Sequence, residues 1–113
     1  MVSESFWTYL ENLIAQSQVV IDRPKGSAHP RYPEVIYPLD YGYLEGTSSG
    51  DGEGVDLWRG SNAAGQLDAI VCTVDAVKRD VEIKLLVGCT AAEKAQVMAF
   101  HGGGQGAMLV ERD

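Results

Sequence analysis

At 113 residues the chain has room for one domain with a single modest core. Nine Lys and Arg stand against sixteen Asp and Glu, a net charge of −7, which argues against the basic face that generic nucleic-acid or anionic-membrane binding needs. The apolar runs are only strand-length and the N-terminus lacks a basic-then-apolar leader pattern, so neither a membrane span nor export is expected, and a cytoplasmic location is.

Phe6, Trp7, Leu10, Leu13 and Ile14 recur at three- and four-residue spacing, which predicts an amphipathic helix over about 4–16 packed on the body of the fold. Its two large aromatics also suit contact with a second subunit, so a homo-oligomer is among the expected partners. Val19 to Ile21 is a short β-branched strand. All four prolines then fall between Pro24 and Pro38, where missing N–H groups and restricted preceding residues predict a fixed but irregular loop. That loop carries Lys25, His29 and Arg31 just after Arg23; His29, between Ala28 and Pro30, reads as an exposed loop residue.

Strands follow at about 41–45, 55–59, 68–76 and 81–87, separated by Gly-rich or charged turns. Thr90 and Glu93 form a capping box that opens a helix over about 91–101, with His101 at its end facing solvent. Gly102 to Gly104 end it, and a closing strand at about 107–111 completes the chain. The expected fold is mainly β with two flanking helices: a small closed or strongly curled antiparallel barrel, OB-like, over about 19–87 of a single domain spanning 1–113. Cys72 and Cys89, without CxxC spacing, are expected to be reduced and buried.

The most concentrated chemistry lies in Asp51-Gly52-Glu53-Gly54-Val55-Asp56. Three carboxylates on a glycine-eased turn that leads into a strand are the hard oxygen donors Mg²⁺ prefers, although the spacing is not that of an EF-hand. On its own the segment reads equally as a solvated acidic turn. Upstream stands Tyr37-Pro38-Leu39-Asp40-Tyr41-Gly42-Tyr43, and the whole stretch over 37–56 resembles the central signature of soluble inorganic pyrophosphatases, a Tyr-Pro-x-x-Tyr-Gly-Tyr strand entering an Asp-rich turn. Flanking similarity is looser. Asp22 followed by Arg31 resembles the family's acid and phosphate-binding Lys, and Glu82-Ile83-Lys84 resembles its Asp-x-Lys strand.

The resemblance implies an inorganic diphosphatase with a pyrophosphatase-like fold, in which water activated by Mg²⁺, or Mn²⁺ in its place, attacks pyrophosphate or a related anhydride directly. It implies Asp51, Glu53, Asp56, Glu82 and Asp80 as metal ligands, with Glu53 in the base position and Asp56 and Tyr41 beside it in catalysis. Arg31, Lys84 and Tyr41, helped by Arg23 or Lys25, are implied to hold the phosphates. Glu53 stands where the family pattern has Asp, the family's arginine hairpin is missing with Arg23 the only nearby candidate to replace its arginine, and its Tyr-Lys pair near the last helix has no counterpart. A paralogue that binds phosphate or nucleotide with little or no turnover is therefore the alternative. A barrel-type nucleic-acid module is the third reading, opposed by the −7 charge.

Overall fold

The structure is a computed structural model that describes residues 2–50, 52–102 and 106–113. A helix, α1 (Glu4–Ala15), is followed by strands β1 (Gln18–Arg23), β2 (Asp40–Glu45), β3 (Val55–Arg59), β4 (Leu67–Asp75) and β5 (Asp80–Val87), a second helix α2 (Ala91–Phe100), and strand β6 (Ala107–Glu111). Element boundaries agree with the sequence expectations to within a residue or two, and the chain is a mainly β domain with two helices. Within α1 and α2 no run is long and apolar enough to cross a membrane.

All six strands join one sheet in the order β1-β2-β3-β5-β4-β6. Its pairs are antiparallel except one: β3 and β5 run parallel, with Leu57 opposite Leu85 and Trp58 opposite Leu86. The expectation of a wholly antiparallel, closed barrel is corrected here. Among the described residues β1 and β6 each pair on one side only, so the sheet is open. The cause is the long β4–β5 hairpin, which meets β3 through its second strand; β4 then lies outside β5 and serves as the crossover that parallel neighbours need.

Strand alternation sorts the apolar residues onto two faces. Leu44, Leu57, Ile70 and Leu85 pack with Trp7 of α1, while Trp58, Ala69, Val71 and Leu86 pack with Val97 of α2 and with Tyr37 and Leu39. The face bearing Trp58 and Leu86 also carries Asp56, Lys84 and Glu82, two or four residues along the same strands, and Tyr41 and Tyr43, opposite Trp58 and Asp56 on β2. Near one end of the sheet this face is therefore core; toward the other it is polar.

Two local devices fix that face. The β1–β2 register shifts between Ile21 and Arg23, and Gly42 lies against it so closely that a Cβ there would collide with the Val20 carbonyl oxygen. At α2, Thr90 Oγ1 accepts from the Glu93 N–H at 3.2 Å while the Glu93 carboxylate accepts from the Thr90 N–H at 2.9 Å. The same carboxylate accepts from the Ser61 N–H at 3.1 Å, which ties the helix start to the loop after β3 and accounts for a buried Glu.

The proline-rich segment is more ordered than an irregular loop. Gly26 N–H donates to the Tyr37 carbonyl, Tyr37 N–H to that of Ser27, and His29 N–H to that of Val35, at 2.8–2.9 Å, around a single bridge of Ala28 with Ile36. Cys72 and Cys89 are free thiols, the first half-buried and the second buried.

Candidate active site

The polar end of the sheet face opens into a cleft with two lobes of about 410 and 390 Å³, the scale of small-ligand pockets. His29, Tyr37, Tyr41, Lys78, Glu82 and Lys84 line both. Asp22, Arg23, Glu53 and Asp56 are among those that line only the second lobe; Asp75, Asp80, Phe100 and His101 belong to the first.

Where the lobes meet, side chains from three strands converge on one ammonium. Lys84 Nζ donates to Asp56 Oδ2 at 2.8 Å, to Glu82 Oε2 at 2.9 Å and to Tyr41 Oη at 2.9 Å, and Tyr41 Oη donates to Asp56 Oδ2 at 2.9 Å. The geometry follows from register. Tyr41 and Asp56 lie on neighbouring strands with the same facing, and Glu82 and Lys84 are two apart on β5. The Lys84 side chain is only 9% exposed, against 29% for Asp56 and 17% for Glu82. Burial alone would lower the Lys84 pKa, but Tyr41 and Asp56 outweigh it and hold the ammonium above its ordinary range. Burial likewise raises the Tyr41 phenol well above its usual value, against the pull of Lys84. At neutral pH the centre is thus a charged lysine and a protonated phenol.

An aromatic wall supports this centre. The Tyr41 ring lies 4.6 Å from that of Trp58, and Tyr37 packs against Tyr41, Trp58 and Phe100 at 5.0–5.9 Å. Trp58 Nε1 donates to His101 Nε2 at 3.1 Å. His101 was expected to face solvent; instead it is half-buried in the wall, and burial, with the nearby Lys84 charge, lowers its pKa to about 4. His29 is corrected in the same sense. It is half-buried, its ring is parallel to that of Tyr37 at 6.3 Å, and its Nδ1 accepts from the Arg31 N–H at 3.0 Å.

Of the residues singled out from sequence, Tyr41, Glu53, Asp56, Glu82, Lys84, Arg23 and Asp80 come together on the cleft. Arg23 is held by its guanidinium donating to Tyr37 Oη at 2.6 Å. Asp51 lies outside the described residues. Arg31 and Lys25 are exposed and do not form part of the lining; the Lys25 N–H instead donates to Asp40 Oδ1 at 2.9 Å. Sequence reasoning missed Asp75 and Lys78 of the β4–β5 turn, and nothing local marks them, since a charged hairpin turn is ordinary surface.

The donor set suits a hard divalent cation in kind: Glu53, Asp56 and Glu82 present carboxylates to one lobe, and Asp56 Oδ1 makes none of the bonds to Lys84 or Tyr41. Among the described residues, no three His, Cys, Asp or Glu side chains already converge as a metal-holding group. No protein-family model matches the chain, and no curated protein matches it significantly.

Proposed function

We propose that the cleft binds inorganic pyrophosphate or a closely related phosphate anhydride and hydrolyses it with Mg²⁺, Mn²⁺ serving as a substitute. The meeting of Tyr41, Asp56 and Glu82 around the Lys84 ammonium carries this reading, because the four residues come from two separate segments, 37–56 and 82–84, that each resemble part of the pyrophosphatase pattern. On this reading the curled sheet with helices on its faces is a short pyrophosphatase-like fold.

Glu53, Asp56 and Glu82, with Asp51 and Asp80 as further candidates, would hold the cation, which supplies charge neutralisation and a more acidic bound water. Lys84 sets the spacing of Asp56 and Glu82 and keeps positive potential at the junction of the lobes. Tyr41, protonated, donates to Asp56 and keeps that carboxylate turned into the cleft. Arg23, fixed by Tyr37, faces the transferring phosphate. Glu53, exposed at the mouth of the same lobe, takes the proton of the attacking water. Positioning and electrostatics suffice as the protein's share, since phosphoryl transfer needs little covalent help.

One observation favours the alternative, binding without turnover: Lys84 already occupies Asp56 Oδ2 and Glu82 Oε2. Orthophosphate release from pyrophosphate, measured with Mg²⁺ and with Mn²⁺, separates the two. Metal-dependent release supports hydrolysis, pyrophosphate binding without release supports the alternative, and neither binding nor release removes both.

A further inference from the structure

Among the described residues three cationic side chains line the cleft; Lys84 is fully committed, and Arg23 is anchored through one of its five N–H donors. Lys84 spends all three of its ammonium donors on Tyr41, Asp56 and Glu82, so it has none left for a ligand unless a partner is given up. Arg23 is tied to the Tyr37 hydroxyl and lies over its ring, 5.5 Å from the centroid. The third is Lys78. Its ammonium makes no hydrogen bond or ion pair among the described residues, and it lines both lobes.

The β4–β5 turn presents this lysine. Asp75 Oδ1 accepts from the backbone N–H groups of Val77 at 2.9 Å and Lys78 at 3.0 Å. The Arg79 N–H donates to the Asp75 carbonyl at 2.7 Å, and Arg79 adopts φ 60°, the left-handed conformation that turns the chain back into β5. The base of the Lys78 side chain is thus fixed while its long stem stays exposed over the cleft.

We propose that Lys78 is a substrate-binding residue of this site, an ammonium that reaches across from the turn to the bridging region of a diphosphate whose two phosphates occupy the two lobes. The inference rests on the anhydride reading above and adds to it a specificity: a ligand long enough to enter both lobes engages Lys78 from both sides, which a single orthophosphate does not. Lys78 acts by attraction and orientation and takes no part in proton transfer.

The test is calorimetric titration with methylenediphosphonate, a non-hydrolysable diphosphate analogue, in the presence of Mg²⁺, for wild type, Lys78→Gln and Lys78→Arg. Lys78→Gln is expected to weaken binding by about tenfold to a hundredfold, the range for loss of one charge-assisted hydrogen bond, and Lys78→Arg to retain most of the affinity. Orthophosphate, titrated in parallel, should lose much less. Because Lys78 is exposed, the thermal midpoint without ligand should not move in either variant. Wild-type affinity in Lys78→Gln would overturn the inference while leaving the anhydride reading intact. Absence of diphosphonate binding by the wild type would overturn both.

Discussion

Lys84 Nζ and Asp56 Oδ2 lie 2.8 Å apart across the one parallel strand pair of the sheet, joining β5 to β3 at the point where the two lobes of the cleft meet. The pair is largely buried on the lysine side, so its partners depend on it. Replacing Lys84 by Met keeps the stem but leaves Asp56, Glu82 and the Tyr41 hydroxyl without their common donor. Breaking a buried pair from one side costs about 3–5 kcal/mol, and the partial exposure of both carboxylates places this case nearer 2. Chemical denaturation should therefore show Lys84→Met less stable by about 2–3 kcal/mol; a change under about 0.5 kcal/mol would mean that the centre contributes nothing to folding.

The same centre has a signature in alkali. The Lys84 pKa is raised on folding, so its contribution is fully present below the unfolded value near 10.5 and is lost as pH rises toward the higher folded one. Tyr41, also raised, acts in the same direction above about pH 10.

His101 gives the opposite dependence in acid. Its pKa falls from 6.5 to about 4 on folding, because burial disfavours the imidazolium and Lys84 adds repulsion. A lowered folded value means stability that is present above pH 6.5 and lost as pH falls through about 4, up to roughly 3 kcal/mol at full shift. Protonation would also place an N–H where Nε2 now accepts from Trp58. Urea midpoints should fall between pH 7 and pH 4.5 in wild type and fall less in His101→Gln. Equal slopes would show that His101 is not the group responsible.

Much of this was legible in the chain, and the misses share one origin. The helices, the capping box at Thr90 and Glu93, and every strand can be read locally, because periodicity and caps are local signals. Glu82 and Lys84 could be placed on one face because alternation fixes facing within a strand, whereas Tyr41 and Asp56 were joined to them only through the family resemblance. Strand order could not. Residues 67–72 and 83–87 are both near-continuous apolar runs, and nothing in either says which one meets β3. His101 looked like a surface residue because its burial comes from Trp58, 43 residues away, and His29 because the proline-rich segment folds back to set it beside Tyr37. Lys78 is invisible for the same reason: only the folded turn carries it over the cleft.

Metal binding should be visible as added stability. A cation held by native carboxylates raises the unfolding free energy by about 2.7 kcal/mol at a hundredfold excess over its Kd. Mg²⁺ or Mn²⁺ should raise the melting temperature in proportion to saturation, and Asp56→Asn should remove most of the gain. If the two proteins respond alike at high millimolar metal, Asp56 is not a ligand and its carboxylate serves only Lys84 and Tyr41.

In the proposed hydrolysis Glu53 activates water for attack on pyrophosphate in the lobe it shares with Asp56. A positioned base contributes about 10²–10⁴-fold, and a misplacement of about an ångström can cost about a hundredfold. The most direct measurement is orthophosphate release from pyrophosphate by wild type, Glu53→Gln and Glu53→Asp, in Mg²⁺ and in Mn²⁺. Low but measurable wild-type release is expected, abolished in Glu53→Gln and equal or higher in Glu53→Asp, with Mn²⁺ supporting more turnover than Mg²⁺. Absence of release by the wild type with either metal, not restored by Glu53→Asp, would contradict the claim and leave the cleft as a binding site without turnover.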